Sequence, residues 1–480
     1  MQTLPLREDK HKKNSSGAFM SSKYLVALPV VAVMTLTGCE TSNTSGLDAL
    51  DDTVLQMTRT DVTQRSNGTS ARPQIDHIKL GYRTALRDSV LESPEFHAAL
   101  QRFRESEAGI QVAQSGTRPQ ISGGATAGAI GGGDRSDVET GIAANLSLSQ
   151  LLYDGGETRA NIEGATAQAY SARARIDIAG NDVAMRAAMA WRDLWQATTQ
   201  LGILQEQVSE AEVLLQNIRR LISSGIIDRA AFAAGQRQLL DLKLEQERLY
   251  ASRRDAQQRF NRYFGSQPAS VPAPDRLFTD AELARFVKNW QDAPALIAAA
   301  AELISAERAV DATRAEGGPN VSLQAGAQTP LDRADTADGN VGVVVRHVFI
   351  DGGRSAAQLE QREQALAAAR ETFESQKDEL YVEAETALSR LRSLRASVSV
   401  LQDQIKELET ERDTLRSQIS SGQADLRQLV ETEVTFYRTR ARLLEMRGDI
   451  ADLELNIVAG AGQLPERLGI GIDALLASQQ

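Results

Sequence analysis

The stretch LLYDGGETRA, Leu151 to Ala160, decides how this chain is read, because VFIDGGRSAA, Val348 to Ala357, says nearly the same thing again. In both copies an apolar run ends in Asp-Gly-Gly and a proline-free, charge-rich segment follows. An apolar run before two glycines is how a strand ends, and a carboxylate there can accept backbone N–H bonds from the first turn of a helix.

The two copies belong to a longer internal repeat. Asp154-Gly155-Gly156 recurs as Asp351-Gly352-Gly353, an offset of 197 (351 less 154), and Ile222-Ser223-Ser224-Gly225 recurs as Ile419-Ser420-Ser421-Gly422 at the same offset. Upstream, Arg118-Pro119-Gln120-Ile121-Ser122 faces Gly318-Pro319-Asn320-Val321-Ser322 at an offset of 200, and Pro94 faces Pro294. Landmarks in one order at two closely similar offsets indicate a duplication.

Each half carries the same parts. A helical stretch from Pro94, and its counterpart from Pro294, precedes two strand-like runs around a Gly/Asp-rich turn. Val321/Leu323/Ala325/Ala327 and Ile142/Ala144/Leu146/Leu148 alternate as a sheet with one apolar side requires. Beyond each Asp-Gly-Gly no proline occurs up to Ile222 or Ile419, which predicts a helical rod of roughly 100 Å. Leu194, Leu201, Leu204, Val208, Ala211, Leu215, Ile218 and Ile222 step by threes and fours or by their sum, the spacing of a seam for a second helix. The second copy repeats it with Leu391, Val398, Leu401, Ile405, Leu408, Leu415 and Ile419, but places Arg412 where the first has Leu215. Ser-Ser-Gly then breaks each rod, and Asp228 and Asp425 are placed to cap returning helices that run to about 264 and 459.

The remaining segments bound the compartment. From Met20 a short basic region and the apolar run Tyr24 to Met34 read as a secretory signal, which places residues 1–38 as an upstream extension plus signal peptide. It ends in Leu36-Thr37-Gly38-Cys39, the pattern of a bacterial lipoprotein, with Cys39 as the lipidated residue and the only cysteine in the chain. Residues 39–74 read as a flexible tether, 75–265 as the first repeat, 266–290 as a linker, 291–462 as the second repeat and 463–480 as a tail. No later run reaches the roughly 18 apolar residues of a membrane helix, so an exported chain of this kind crosses a membrane only as a closed barrel.

Chemistry is not what the composition offers. The chain is 24% charged and only 5% aromatic, and its formal net charge of -11 argues against a nucleic-acid partner. Its four histidines share no motif spacing, and neither a metal-ligand pattern nor a nucleophile motif occurs, so neither enzyme activity, metal nor cofactor is expected. Trp191 and Trp195, one helical turn apart, read as packing against a neighbouring helix, and Tyr153 as an interfacial aromatic or a plain strand-end residue.

SQLLYDGGETRANIEGA (Ser149 to Ala165), RHVFIDGGRSAAQLEQ (Arg346 to Gln361) and the two Ser-Gly tips together resemble the TolC-like outer-membrane efflux proteins over about residues 75–462. The resemblance implies a mainly α fold with membrane β: a duplicated strand pair plus long helical hairpins, assembled as a homotrimer with one twelve-stranded β-barrel and a periplasmic α-helical tunnel. It implies a passive exit duct in the outer membrane of a Gram-negative bacterium, in contact with outer-membrane lipid. The duct would work with a periplasmic adaptor and an inner-membrane pump, driven by ATP or by protons. Asp154, Gly155, Gly156, Asp351, Gly352 and Gly353 are then strand-to-helix joints, with the paired glycines relieving crowding where the barrel narrows. Ser224, Gly225, Ile226, Ile227, Asp228 and Arg229, with Ser421, Gly422, Gln423, Ala424, Asp425 and Leu426, are the periplasmic tips that meet the adaptor. Asp228 and Asp425 either line the pore as carboxylate rings or serve as plain helix caps.

Leu-Tyr-Asp-Gly-Gly and Phe-Ile-Asp-Gly-Gly stand closer to ducts of type I protein secretion than to the Trp-Glu-x-Asp-x-Phe-Gly segment of drug-efflux lipoproteins, while the lipid anchor points to the latter. The rival from another class is a non-channel periplasmic coiled-coil lipoprotein, a scaffold or adaptor.

Overall fold

The computed structural model describes residues 81–131, 138–223, 229–330, 338–420 and 426–477. Two short helices, α1 (Tyr82–Leu91) and α2 (Pro94–Ser115), lead into strands β1 (Gln120–Gly131) and β2 (Val138–Tyr153). The rod α3 (Glu157–Ser223) and the returning α4 (Arg229–Phe264) follow, then α5 (Asp280–Lys288) in the linker. The second half repeats the plan with α6 (Pro294–Glu316), β3 (Asn320–Pro330), β4 (Asp338–Arg346), the rod α7 (Arg354–Ser420) and α8 (Leu426–Gly460). Two short terminal helices, α9 (Leu464–Arg467) and α10 (Ile472–Ala477), complete it. Both rods are 67 residues long, and the second begins and ends 197 residues after the first.

The four strands form one antiparallel sheet in the order β1-β2-β3-β4, so β1 and β4 are open edges. Its register settles the two faces. Leu148 pairs with Ile121 and Ala325, Leu146 with Gly123 and Ala327, and Val343 with Leu323. One face therefore carries Ile121, Ile142, Leu146, Leu148, Val321, Leu323, Val341, Val343 and Val345. The other carries Ser122, Asn145, Ser147, Ser149, Ser322, Gln324, Gln328 and Asn340, with Ser122 and Ser147 hydroxyls 2.7 Å apart. On the apolar face Ile121, Leu146, Val341, Val343 and Val345 are all exposed.

The strands do not end as symmetrically as the sequence suggests. β2 runs up to its Asp-Gly-Gly through a bulge between Leu151 and Tyr153, whereas β4 stops at Arg346. Val348, Phe349 and Ile350 continue without pairing, and Ile350 is 91% exposed. Both ends are set by β3. Past Ser149, where β1 begins, β2 is held by β3 alone through the bulge, and β4 stops at Arg346 opposite Asn320, the first residue of β3.

The rods are held where they meet the linker and the terminal helices. Trp191 is fully buried there, with ring centroids 5.6 Å from Phe260, 5.6 Å from Phe264 and 5.3 Å from Tyr82. Its indole N–H donates to the Pro272 carbonyl at 3.0 Å, so the linker is tied to the first rod. Trp195 packs only partly buried against the same core. Burial pushes the Tyr82 phenol above its ordinary range.

Farther along, Leu201, Leu204 and Val208 of α3 close on Leu242 and Leu249 of α4 and on Tyr437 of α8. Ile218 of α3 joins Leu415, Ile419, Leu426 and Leu429. The heptad residues thus bury a seam within each hairpin and a second one between the hairpins.

Candidate functional site

The two joints have one geometry. Asp154 accepts the Gly156 N–H at 3.0 Å and the Thr158 N–H at 2.7 Å. Asp351 accepts the Gly353 N–H at 3.0 Å and the Ser355 N–H at 2.8 Å, with a further bond from the Ser355 hydroxyl. Each carboxylate therefore fills the bonding needs of the first helical turn. For Asp154, burial pushes the carboxyl up, but the Thr158 and Gly156 donors outweigh it and hold the group below the usual carboxylate range. Asp351 is pulled down to about 2, first by the Ser355 hydroxyl and then by the Ser355 and Gly353 amides.

The glycines act through conformation rather than through crowding inside the protomer. Gly155, Gly156, Gly352 and Gly353 have φ of 69°, 95°, 72° and 88°, the left-handed region that side chains resist. A Cβ on Gly156, Gly352 or Gly353 would meet nothing within 4 Å. Within one protomer the backbone turn by itself calls for glycine at these positions. The rods accordingly start at Glu157 and Arg354, after the glycines.

Of the tip residues, Arg229 is the exposed first residue of α4, and Leu426 is the first of α8. Leu426 is only 3% exposed and sits in the cluster with Ile218 and Leu429. The side chain thus anchors the hairpin inside the protomer rather than standing free at its surface. Ser224, Gly225, Ile226, Ile227, Asp228, Ser421, Gly422, Gln423, Ala424 and Asp425 lie outside the described residues, as does Cys39.

Just above the tips lies a polar cluster that the heptad reading passed over. Arg416 of α7 reaches Glu210 of α3 at 2.6 Å and Glu433 of α8 at 2.6 Å. Gln207 of α3 donates to the second Glu433 oxygen at 2.8 Å, and Arg440 of α8 reaches Glu206 of α3 at 2.9 Å. Arg412, the odd residue of the second seam, lies with its guanidinium 4.4 Å over the Phe436 ring and 3.5 Å from Glu210. The signal that could have led to this cluster was Arg412 itself, a charge at a position where its counterpart is Leu215. Among the described residues no group of His, Cys, Asp and Glu is placed to hold a metal ion, and no helix is long and apolar enough to cross a membrane.

A family model described as outer membrane efflux protein matches residues 85–266 and 289–463, one segment on each repeat. The outer membrane efflux protein BepC of Brucella suis biovar 1 (strain 1330) is 25% identical over 391 residues, covering 77% of this chain and 82% of that protein. Among solved structures, the outer membrane protein VceC of Vibrio cholerae superposes with a TM-score of 0.72 at 16% identity, covering 79% of this chain and 95% of that one. The outer-membrane channel OprN gives 0.71 at 16% identity, with 81% and 90% covered, and CusC 0.70 at 16%, with 80% and 92%. The last three likenesses are of fold.

Proposed function

The chain belongs to the outer membrane efflux protein family, and from that premise we propose that three copies close their sheets into one twelve-stranded barrel above a helical tunnel. The assembly is the outer-membrane exit duct of a tripartite export system, a passive conduit that a periplasmic adaptor connects to an inner-membrane pump. The observation that carries this reading is the sheet. Its exposed apolar face suits lipid, its opposite face of serine, asparagine and glutamine suits a water-filled lumen, and its two unpaired edges require partners. A four-stranded sheet is too narrow to close on itself, and a neighbouring copy supplies both missing edges.

The anchor and the tips complete the proposal. Lipidation at Cys39 would tether the duct to the membrane, and residues 39–74 would span from that lipid to the folded body. The exposed Arg229 and the Ser-Gly turns would meet the adaptor, with Asp228 and Asp425 as candidate rings of three carboxylates at the entrance. The cargo is either a secreted protein, which the joint sequences favour, or small molecules, which the lipid anchor favours.

Reconstitution in planar bilayers tests the core of the reading. Stepwise conductance from heat-resistant oligomers extracted with detergent from outer membranes is the expected result. Salt-extractable monomers without conductance would overturn it. Asp228→Asn and Asp425→Asn, compared for cation selectivity, decide whether either ring faces the pore. A strain lacking the protein distinguishes cargo, through lost secreted polypeptide or through gained sensitivity to toxic small molecules.

A further inference from the structure

The contacts between the two repeats inside one protomer are a template for contacts between protomers. Within the chain, α8 packs along α3, but α4 makes no comparable packing against α7. The repeat offset converts each residue of the first contact into its counterpart in the second. Shifting by 197 takes Glu206, Gln207 and Glu210 of α3 to Asp403, Gln404 and Glu407 of α7. The same shift in reverse takes Arg416 to Arg219, and Glu433, Tyr437 and Arg440 to Gln236, Leu240 and Lys243.

Two ion pairs survive the shift, although Glu433 becomes Gln236. The pair Arg440–Glu206 becomes Lys243–Asp403, and Arg416–Glu210 becomes Arg219–Glu407, each with its signs preserved. Tyr437, 7% exposed between Leu201, Leu204 and Val208, becomes Leu240 opposite Val398, Leu401 and Ile405. In the single protomer Leu240 is 66% exposed, and Arg219, Gln236, Gln404 and Glu407 are exposed as well. Val398 and Ile405 are only half-buried and Leu401 is buried, where their counterparts Leu201, Leu204 and Val208 are all buried. Among the described residues Lys243 pairs with Glu212 of α3 at 2.6 Å and Asp403 with Lys406 at 3.2 Å, and the Arg219 guanidinium lies 5.7 Å from the Phe232 ring centroid. The joints give the same indication independently: a Cβ on Gly155 would touch the Ala315 carbonyl at 3.4 Å, whereas Gly352 faces open space where its own neighbour would stand.

We propose that a second copy of this chain covers this face, with Arg219 and Lys243 of one protomer paired to Glu407 and Asp403 of the next, and Leu240 seated on the Val398–Leu401–Ile405 stripe. The contact is head-to-tail, acids from α7 meeting bases from α3 and α4, which is the kind of interface that closes a ring. It rests on the duct reading and gives the subunit boundary of that duct its residues.

Charge exchange in the full-length chain tests it, read as the temperature at which the oligomer dissociates on a gel. Arg219→Glu and Glu407→Arg alone should each lower that temperature, and the two together should bring it back towards the parent value. Lys243→Glu and Asp403→Lys form a second, independent pair with the same expectation. Circular dichroism of the single variants should retain the parent helix content, which separates a lost seam from a lost fold. Single variants that dissociate like the parent would assign the face to another partner, such as an adaptor, and overturn the seam. A double variant no better than the singles would also overturn it. A parent chain that is itself monomeric in detergent removes the duct reading and the seam with it.

Discussion

Arg416 and Glu433 lie on the two helices of the second hairpin, and their charged groups meet at 2.6 Å with Glu433 only 6% exposed. Because Arg416 also holds Glu210 of the first rod, one guanidinium joins three helices just above the tips.

Removing that guanidinium leaves a buried carboxylate with Gln207 as its remaining described partner. Arg416→Met should therefore destabilise the chain by about 1–3 kcal/mol, less than a fully buried pair because the arginine is partly solvated. Arg416→Met with Glu433→Met should recover part of the loss, since no unpaired charge remains. Thermal unfolding followed by circular dichroism distinguishes the two, and a double variant worse than the single would contradict the account.

At the first joint, Asp154→Ala removes a cap from the start of a 67-residue rod and should cost about 1 kcal/mol. The same rod offers many compensating contacts farther along, so the effect should appear as local fraying. Hydrogen exchange of the Gly156 and Thr158 amides is the direct measurement, and unchanged protection would refute the cap.

Asp351 supplies a pH dependence. Its folded pKa, about 2, lies below the unfolded carboxylate value of about 3.9. The folded state thus binds this proton more weakly, so the stabilisation is present in full above the unfolded value and fades as pH falls through the folded one. The unfolding midpoint of the parent should drop relative to Asp351→Asn between about pH 4 and pH 2. Parallel midpoints across that window would rule out the carboxylate as a cap.

The joint glycines discriminate conformation from crowding. At Gly353, with φ of 88° and open space around its Cβ position, Gly353→Val should cost on the order of 1–2 kcal/mol in strain. Gly353→Asn should cost less, because asparagine accepts the left-handed region. Equal losses from both, measured as oligomer yield and unfolding midpoint, would return the explanation to steric contact.

Trp191 should dominate the aromatic core. Trp191→Ala removes a fully buried ring and should cost about 3–5 kcal/mol, while Trp195→Ala, half-buried one turn away, should cost clearly less. Trp191→Phe leaves the Pro272 carbonyl without its donor, at about 1 kcal/mol. Comparable losses at positions 191 and 195 would mean that the hydrogen bond and burial at Trp191 contribute little.

Much of this architecture can be read from residue spacing, because a rod and a hairpin are local structures. The threes and fours from Leu194 to Ile222 specify a buried seam wherever the second helix comes from, and Asp-Gly-Gly specifies a turn without reference to anything distant. The early end of β4 at Arg346 was not legible, since it is set by where the partner strand β3 begins, at Asn320, which the apolar run of β4 does not record. The Arg416 cluster escaped for a related reason. Its members lie 206 and 17 residues apart in sequence, and each alone reads as an ordinary solvated charge on a helix. Leu426 reads as a tip residue from its place after a turn, and only the packed hairpin reveals that it faces inward.

Duplication followed by divergence also changes how such an assembly can be tuned. Gln236 stands where the other repeat has Glu433, and Leu215 where it has Arg412, so the halves keep a common ruler without keeping common chemistry. In a ring built from one unduplicated unit, every substitution would be imposed on all equivalent sites at once. In the proposed ring a single codon change would touch only alternate boundaries, so one set could be strengthened while the other is left to yield.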